Sequence, residues 1–524
     1  MTDSSEFRVQ GRKNHNSFTL NAERSTLNQI CLSVFGAFLL IFSFPPFNAF
    51  PLIWIALVPW LIILPRLSFR NALLSSLIFG FAFFGGLLYW VGIFGYLPWA
   101  LLSLYQALFI AAAGVCIWFC RGLSRGWRIL GAAAFWTLFE WLRGLGPYGF
   151  TWGWLGYSQS SWLDFIQLAS FAGVPGLTFL IVLHNAELAE AISSSARSLL
   201  QRIAPLIAVW TLIAVVVIGG HLVIKRSGNN QQELKIAIIQ PTVREPGRDD
   251  ANHIWTQAEV SEDRAALMKL AGQVAKEKPI IIIAPESALP GFLNRDVFLY
   301  TGATQAARKS HAWLLVGAHY EDDAARTYNS AYLFSPQGEM KDRYDKVQLV
   351  PFGEFVPGRS WLPGIKNYPI REQDLSAGAG YHTMQAGPIS LGVAICFESI
   401  FPHIARKLVN QGAEILVIIT NDGWFLKTAA AEQHRQMAVF RAVETRRWIA
   451  RAALTGISCI IAPNGKIMDE LGLYKQGALV GNVGIGEGKT FYLRFGDWFI
   501  GVVVLLAFAG FIQLLWRRIA PRTE

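Results

Sequence analysis

Apolar residues are distributed unevenly along this chain, and their segregation limits the possible folds more than any other feature. Long apolar runs fill the region from about residue 28 to 225, and one more lies near 496–516. A run of about 20 apolar residues can cross the ~30 Å hydrocarbon core of a bilayer as a helix. Residues 226–494 have instead the mixed composition of a water-soluble domain. The sequence therefore predicts a multi-pass helical membrane bundle that carries one folded domain outside the lipid.

The overall composition agrees with a chain that uses lipid as part of its solvent. Of the 524 residues, 53% are hydrophobic and 16% are charged, whereas soluble domains carry about a quarter charged residues. This composition excludes disordered, collagen-like and small disulfide-rich proteins. The net charge is +10, but residues 231–490 hold 28 Lys and Arg against 27 Asp and Glu. Because the excess charge lies in the membrane region and the tails, we expect no nucleic-acid partner.

Eight apolar runs are predicted to span the membrane. They lie near 28–44, 50–65, 72–96, 98–120, 128–146, 165–188, 204–224 and 496–516. With the N-terminus in the cytosol, the cytosolic loops hold most of the basic residues and Arg143 is nearly alone on the other side, as the positive-inside rule requires. We therefore expect a cytosolic tail (1–27), seven helices (28–225), an extracytoplasmic domain (226–494), a last helix (495–517) and a second cytosolic tail (518–524).

The predicted extracytoplasmic domain alternates strand and helix patterns. Strands are predicted at Leu234–Gln240, Pro279–Ala284, Trp313–Ala318, Tyr328–Phe334, Ile389–Ile395, Glu414–Thr420 and Ile457–Ala462, and helices at 254–277, 300–310, 399–410 and 430–446. Strands that are apolar throughout must be covered on both faces. The pattern predicts a layered α/β domain.

Three strand ends carry polar residues that a purely structural sheet does not need. Glu286 follows a strand in IIIIAPESALP, Lys346 and Glu354 lie in RYDKVQLVPFGEFVP, and Cys396 ends the strand of ISLGVAICFES. Taken singly, the carboxylate at the strand end is explained by an ion pair and the lysine by solvation. The thiol is more informative, because a helix is predicted to begin at Ser399 and a helix N-terminus favours a thiolate and an oxyanion.

The three residue types together match the needs of an acyl-transferring thiol. The thiol must lose its proton to a nearby base, and a buried carboxylate with a raised pKa suits that task. An ammonium group can stabilise the negative oxygen that forms when the sulfur attacks a carbonyl. The residues point to Glu286 as base, Lys346 as oxyanion partner and Cys396 as nucleophile.

The order and spacing of these motifs resemble the nitrilase superfamily of carbon–nitrogen hydrolases. Within it, YDKVQLVPFGEFVP is similar to the signature of the apolipoprotein N-acyltransferase family, and EWLRGLGPYGFTWGWLGYSQ (140–159) and GVPGLTFLIVLHN (173–185) are similar to its membrane motifs. The resemblance covers residues 28–516. It implies about eight membrane spans and an extracytoplasmic nitrilase-like α-β-β-α sandwich.

The resemblance also implies a reaction. Such enzymes lie in the bacterial inner membrane with a periplasmic catalytic domain and complete lipoprotein maturation. They move an acyl chain from a phospholipid, usually phosphatidylethanolamine, to the cysteine as a thioester and then to the amine of a diacylglyceryl-cysteine apolipoprotein. No cofactor is implied. The motif match implies the same roles that the residue chemistry indicated: Glu286 as base, Lys346 as oxyanion partner and Cys396 as nucleophile.

Further residues receive roles from the resemblance alone. Glu354 would support the base and the lysine, and Glu398 matches another functionally important carboxylate. Phe397 stands where the family often has Tyr, so that only its backbone N–H remains available for the oxyanion. Trp424 resembles an aromatic residue near the acyl pocket. The family's usual Trp after Gln240 is missing, which leaves the role of Trp255 open.

Two residues of the membrane region have alternative interpretations. Tyr157 and Arg143 are candidates for substrate contact. Tyr157 with Trp154 also suits an aromatic belt at the membrane surface, and Arg143 with Glu140 suits an interfacial ion pair. Cys396 and Cys459 could pair in an oxidising compartment, but a nucleophilic Cys396 excludes that pairing, and Cys459 is expected in the core. His and Cys spacing predicts no metal site.

Two other classes of function compete. A membrane-tethered amidase or nitrilase needs the same three residues but gives no reason for eight spans. A transporter or receptor with a ligand-binding outer domain needs none of them for its activity. Substitution of Cys396 or Glu286 distinguishes the second class from an enzyme.

Overall fold

The computed structural model describes residues 29–193, 198–226, 233–241, 256–359, 373–486 and 488–519, without the side chains of 517–519. The predicted tail 1–27, most of the tail 518–524 and Trp255 lie outside these ranges.

The helices and strands follow each other in two blocks. The first block contains α1 (Gln29–Phe42), α2 (Ile53–Ala56), α3 (Val58–Ile63), α4 (Phe69–Leu87), α5 (Tyr96–Phe119), α6 (Arg125–Leu142), α7 (Leu163–Ile166), α8 (Ala169–Ser193) and α9 (Leu199–Arg226). The second contains β1 (Glu233–Gln240), α10 (Gln257–Val274), β2 (Ile281–Ile283), α11 (Val297–Ser310), β3 (Trp313–Glu321), β4 (Thr327–Phe334), β5 (Met340–Asp345), β6 (Thr383–Ala386), β7 (Ile389–Ile395), α12 (Pro402–Asn410), β8 (Ile415–Thr420), α13 (Ala430–Thr445), β9 (Trp448–Ala453), β10 (Ser458–Ile461), β11 (Ile467–Leu471), β12 (Gly477–Gly484), α14 (Phe491–Phe495) and α15 (Trp498–Ile519).

Five helices in the described ranges are long and apolar enough to cross a membrane, judged by length and composition alone: α4, α5, α8, α9 and α15. The other three predicted spans differ for local reasons. Helix α1, in the first of these spans, is too short to meet the length criterion. The span predicted at 50–65 is divided into short helices, and Pro51 and Pro59 each lie in the first turn of one of them, because proline disrupts a helix interior. Helix α6 carries two arginines and a glutamate, which are costly in lipid. The number of eight spans therefore stays a prediction.

The chain forms two compact units. One comprises Met1–Glu140, Phe179–Thr211 and Val503–Glu524, and the other comprises Trp141–Thr178 and Leu212–Val502. The second unit, called here the catalytic unit, thus contains 141–178 as well as both sheets of the α/β domain. A stretch that the sequence places among the apolar runs belongs to the same compact body as the candidate site.

Two six-stranded sheets form the centre of the catalytic unit. The first sheet has the order β12-β1-β2-β3-β4-β5 and the second sheet has the order β11-β10-β9-β8-β7-β6. Strands β1, β2 and β3 run parallel, as do β7, β8 and β9. All seven predicted strands are present. Among the described residues, β5, β6, β9, β11 and β12 are additional.

The five additional strands were not predicted because their sequences lack a continuous apolar run. Four of them form the edges of the sheets, where one side is open and a continuous apolar run is not needed. Strand β9 is central, but Arg451 interrupts its apolar pattern. That arginine is fully buried and pairs with Asp422 at 2.8 Å. A buried ion pair therefore hid a central strand from the sequence pattern.

Alternating side chains build separate cores on the two faces of the first sheet. Ile236, Ile238 and Ile281 face the second sheet and pack with residues such as Val393 and Val417. Their neighbours Ala237, Ile239 and Ile282 face the other way, onto apolar residues of α10 and α11. This alternation follows from the two-residue period of a strand. Helices α12 and α13 pack on the second sheet, which gives the nitrilase-like α-β-β-α layering.

Candidate active site

The site lies where strands of both sheets end, and Glu286 provides its first carboxylate. Glu286 follows β2 and is 5% exposed. Asn329 Nδ2 donates to its Oε1 at 2.6 Å, and the backbone N–H of Asn421 donates to its Oε2 at 2.6 Å. Burial raises the pKa of Glu286 above its ordinary value, although the Lys346 ammonium opposes the shift. A carboxylate with a raised pKa is a better proton acceptor than an exposed one.

Lys346 follows β5 and lies between two carboxylates. Its Nζ is 2.8 Å from Glu354 Oε1 and 3.8 Å from Glu286 Oε1, and its side chain is 1% exposed. Burial alone would favour the neutral amine, but Glu354 and Glu286 raise the pKa of Lys346. The lysine is therefore charged at neutral pH, as an oxyanion partner must be.

Glu354 holds Lys346 in place. Besides the lysine, its oxygens accept from Asn329 Nδ2 at 3.2 Å and from the backbone N–H of Val350 at 2.8 Å. Burial works against the carboxylate, but the Lys346 ammonium and these donors keep the pKa of Glu354 below its usual range. The two neighbouring carboxylates thus differ: Glu354 is fixed as an anion, and Glu286 is the one poised to take up a proton.

Cys396 begins a 3-10 turn, Cys396–Ile400, directly after β7. Its φ of +52° is left-handed, which costs a residue other than glycine about 1–2 kcal/mol. The α-helix that was predicted to begin at Ser399 begins at Pro402 instead. A proline suits the first turn of a helix because backbone N–H groups at that position have no acceptor within the helix, so a residue without an N–H loses no hydrogen bond. The nucleophile candidate therefore lies on a strained turn and not at a helix N-terminus.

The electrostatic environment of Cys396 differs from the expected one. Burial, followed by the charge of Glu286, raises the pKa of the Cys396 thiol, while Lys346 and a hydrogen bond with Thr420 oppose the shift. The expectation that the turn favours a thiolate is wrong, because desolvation dominates. The charges of Glu286 and Lys346 both act on this thiol. The structure thus brings the three predicted residues together, with the pKa of the thiol raised and not lowered by its surroundings.

Glu398 joins the two sides of the site. It is fully buried and accepts from the backbone N–H of Ile395 at 2.8 Å and from the Tyr344 hydroxyl at 2.8 Å. It also accepts from the N–H groups of Val347 at 2.8 Å and Gln348 at 3.2 Å. One carboxylate thereby links the residue before Cys396 to the two residues after Lys346.

The two predicted aromatic residues lie in different surroundings. Phe397, next to the nucleophile, is buried, and its ring contacts those of Phe150 and Phe401 at centroid distances of 6.4 and 5.1 Å. Trp424 is half-buried in the 3-10 turn Asp422–Phe425 that follows β8. Trp424 thus lies three residues after Asn421, whose N–H binds Glu286.

Arg143 and Tyr157, predicted to contact substrate, are both buried within the catalytic unit. Arg143 Nη1 donates to the carbonyls of Phe150 and Trp152, each at 2.8 Å. Tyr157 stacks on Trp154 at 5.8 Å and accepts from Arg441 Nη2 at 3.3 Å. Arg143 Nη1 and the Tyr157 hydroxyl thus bond to the protein itself, and a role in substrate binding stays a prediction.

Several residues of the site were not predicted. Asn329 lies on β4, where a single polar residue gives no signal. Asn421 and Asp422 directly follow the apolar strand β8, so the strand-end criterion that found Glu286 could have found them. Asp422 is bound to His434 Nδ1 at 3.0 Å and to Arg451 Nη2 at 2.8 Å. Burial opposes its ionisation, but these two partners hold the pKa of Asp422 well below its usual range.

The remaining sequence predictions concern a disulfide and a metal site. Cys396 and Cys459 are both free, and Cys459 is fully buried in β10, which confirms it as a core residue. In the described part of the chain, no group of three or more His, Cys, Asp and Glu side chains could hold a metal ion.

Comparisons with known proteins match both parts of the chain. Residues 36–187 match the family described as apolipoprotein N-acyltransferase N-terminal domain, and residues 235–488 match the family described as carbon-nitrogen hydrolase. The apolipoprotein N-acyltransferase of Geobacter metallireducens is 35% identical over 91% of this chain and 95% of its own length. Those of Rhodopseudomonas palustris and Haemophilus ducreyi are 31% and 27% identical, each over 90% of this chain and over 92% and 93% of their own lengths.

Similarity also extends to solved structures. An amidase from Nesterenkonia sp. is 18% identical and aligns over 52% of this chain and 97% of its own length, with a TM-score of 0.38. The family assignment does not depend on it.

Proposed function

The chain belongs to the apolipoprotein N-acyltransferase family, and from that premise we propose that it acylates lipoproteins through a thioester on Cys396. The acyl donor is a phospholipid, with phosphatidylethanolamine as the expected one. The acceptor is the free α-amine of a diacylglyceryl-cysteine at the N-terminus of an apolipoprotein. The observation that carries the proposal is that buried Glu286 and Lys346 and the half-buried thiol of Cys396 lie in one site, where both charges act on the sulfur.

In the first half-reaction, Glu286 takes the proton from the Cys396 thiol. The sulfur then attacks the ester carbonyl carbon of the phospholipid, and the carbonyl oxygen becomes an oxyanion. The Lys346 ammonium and the backbone N–H of Phe397 are assigned to that oxygen. When the C–O bond to glycerol breaks, the leaving alkoxide takes the proton back from Glu286. The products are an S-acyl cysteine and a lysophospholipid.

In the second half-reaction, the lipoprotein amine attacks the thioester carbonyl. Glu286 removes a proton from the nitrogen, and the same oxyanion partners act again. The C–S bond breaks, the amide forms, and the sulfur recovers its proton from Glu286. One carboxylate thus serves as base and then as acid in each half, as its raised pKa allows.

The raised pKa of Cys396 supports this order of events. A thiol that stays protonated in the resting enzyme does not react with solutes until a base and a carbonyl are in place. Water would hydrolyse the thioester if it reached the site freely, so net transfer requires a site that excludes water. We assign the α/β domain, residues 226–494, to the periplasmic face of the inner membrane, where both substrates are anchored in lipid and water competes least.

The test is to trap the intermediate. The full-length enzyme in detergent is incubated with a phospholipid of defined acyl chains, without acceptor, and its intact mass is measured. The proposal expects one acyl chain per protein, located on Cys396 by peptide mapping and released by hydroxylamine. It also expects that a synthetic diacylated lipopeptide removes this adduct and becomes triacylated.

Cys396→Ala is the control for the site of attachment, and Cys459→Ala is the matched control for a buried thiol elsewhere in the same sandwich. An adduct that survives in Cys396→Ala, or hydrolysis without transfer to the lipopeptide, contradicts the proposal. The second result would favour the membrane-tethered amidase.

A further inference from the structure

The left-handed backbone of Cys396 must be held by its surroundings, since a strained conformation persists only where neighbouring contacts enforce it. Two of those contacts lie within the turn. The Ser399 hydroxyl donates to the Cys396 carbonyl at 2.7 Å, and Glu398 accepts from the N–H of Ile395 at 2.8 Å. The far end of the turn, at Ile400, is held from elsewhere in the catalytic unit.

The Ile400 carbonyl is bound by residues remote in sequence. Thr151 Oγ1 donates to it at 2.9 Å and Arg441 Nη1 at 2.6 Å, and Tyr157 OH lies at 3.5 Å. Thr151 and Arg441 are each 1% exposed, and Tyr157 is 2% exposed. In such a dry environment a hydrogen bond is directional and costly to break. The end of the nucleophile turn is therefore fixed by residue 151, which belongs to the N-terminal half of the chain.

Two neighbours of Thr151 make separate contacts on the same turn and its support. The Phe150 ring stacks on Phe397, the residue directly after Cys396, with an interplanar angle of 30°. Trp152 Nε1 donates to Gln433 Oε1 at 2.7 Å. The Trp152 ring also packs on the ring of His434, which is 2.8 Å from Ser399 Oγ. Residues 150 and 151 thus contact the start and the end of the turn, and residue 152 contacts α13, from which His434 reaches Ser399 of the turn.

The segment is itself held rigidly. Arg143 Nη1 bridges the carbonyls of Phe150 and Trp152, on either side of Thr151, and the N–H of Phe150 donates to the carbonyl of Arg143 at 2.8 Å. A side chain that is to fix another group must be fixed first, and this bridging supplies that second layer of support.

We propose that segment 150–157, supported by Arg143, is a positioning element of the nucleophile. It holds the 3-10 turn Cys396–Ile400 in the strained form that aims the thiol at the acyl carbonyl. This inference rests on the proposed function, since it presupposes that Cys396 is the residue acylated. It assigns Thr151 and Tyr157 to the positioning of Cys396 and makes Arg143 the support of Thr151, so that none of the three needs to contact substrate.

The test compares single-turnover acylation in Thr151→Val, Thr151→Ser and wild type, each as the full chain in detergent. Valine keeps the shape of threonine and removes only the donor. We expect the rate constant of Cys396 acylation by phosphatidylethanolamine to fall about 10- to 100-fold, with the phospholipid KM unchanged within about twofold. Serine restores the donor and should recover most of the rate. A merely structural role would lower the melting temperature without this split between rate and KM.

Thr137→Val is the matched control, because Thr137 is a buried threonine for whose hydroxyl the described residues offer no partner. It should acylate at the wild-type rate. Wild-type acylation in Thr151→Val, or an equal loss in Thr137→Val, overturns the inference. If Thr151→Val does not fold, Trp152→Phe decides, since it removes the indole N–H that binds Gln433 and part of the ring that packs on His434. It is expected to be about 3- to 10-fold slower, and a wild-type rate overturns the inference.

The outcome distinguishes this inference from the function on which it rests. Failure of the function is an acyl adduct absent from the wild type or still present in Cys396→Ala. Failure of the positioning role is a wild-type adduct that forms equally fast without the Thr151 and Trp152 donors.

Discussion

The first sheet and the second sheet supply the candidate site with different kinds of groups. The first sheet and its connections contribute the charges: Glu286 after β2, Lys346 after β5 and Glu354 eight residues later. The second sheet contributes the thiol after β7, on a strained turn that hydrogen bonds and ring contacts hold in place. We therefore expect the first sheet to have the larger influence on protonation in this site and the second sheet to fix the geometry of the thiol.

The separation is not complete, because each sheet anchors a group of the other. The N–H of Asn421, after β8, binds Glu286, and Glu398, after Cys396, binds the N–H groups that follow Lys346. These links keep the base and the nucleophile in register across the sandwich. Substitutions on the charged side should change pH dependence, and those on the nucleophile side should change rate without changing pH dependence.

The largest expected effect is loss of the chemical step when either side loses its reacting group. Cys396→Ala and Glu286→Gln should each lower acyl transfer by at least about 10³-fold, because the nucleophile or its base is gone. Acyl transfer from labelled phospholipid to a diacylated lipopeptide measures both. If Glu286→Gln keeps more than a tenth of the activity, the charged side does not supply the base.

The next effect concerns the oxyanion partner. Lys346→Met should lower the acylation rate constant about 10²- to 10³-fold, the cost of removing one donor to a developing oxyanion. Lys341→Met is the matched control, because Lys341 lies on β5 but is half exposed and pairs with Glu339 at the surface. Equal losses in the two variants would show that strand β5 and not the ammonium is responsible.

A smaller effect on rate and a larger one on stability are expected for Asp422→Asn, on the nucleophile side. The change leaves Arg451 buried without its anionic partner, which costs about 3–5 kcal/mol of unfolding free energy. Thermal melting of the detergent-solubilised protein should show the loss, and the remaining folded enzyme should be about 10-fold slower. An altered pH profile in this variant would break the division between the two sheets.

The smallest effect is a displacement of the pH profile. Acylation needs the deprotonated form of Glu286, so the rate should rise with pH through the pKa of that carboxyl. Burial places this rise above the ordinary range of a glutamate. Lys346 lowers the pKa of Glu286, so Lys346→Met should move the rise to still higher pH, as measured by single-turnover acylation. The profile of Thr151→Val should match that of the wild type.

Much of the site was accessible from the sequence because its groups follow apolar strands. Glu286 and Cys396 were found in this way, and the same criterion extends to Asn421 and Asp422. Lys346 follows β5, a polar edge strand that the pattern did not predict, and was identified from its motif instead. Asn329, Arg441 and His434 could not be predicted from the sequence. They lie within a strand or a helix, and the apolar periodicity of such an element does not show which of its polar side chains point into the protein and bind other buried groups. The direction of the pKa shift of Cys396 was predicted wrongly, because the cost of desolvation depends on everything packed around the sulfur.

The sequence by itself determined the apolar helices, the strands that are buried on both faces and the candidates for the reacting groups, because these follow from local periodicity and residue type. Only the tertiary structure decided which distant groups hold those residues. The hydrogen bond from Thr151 to Ile400 joins residues 249 positions apart, and no local pattern encodes such a contact. The strain at Cys396 has the same origin, since a left-handed cysteine is stable only when the rest of the fold enforces it.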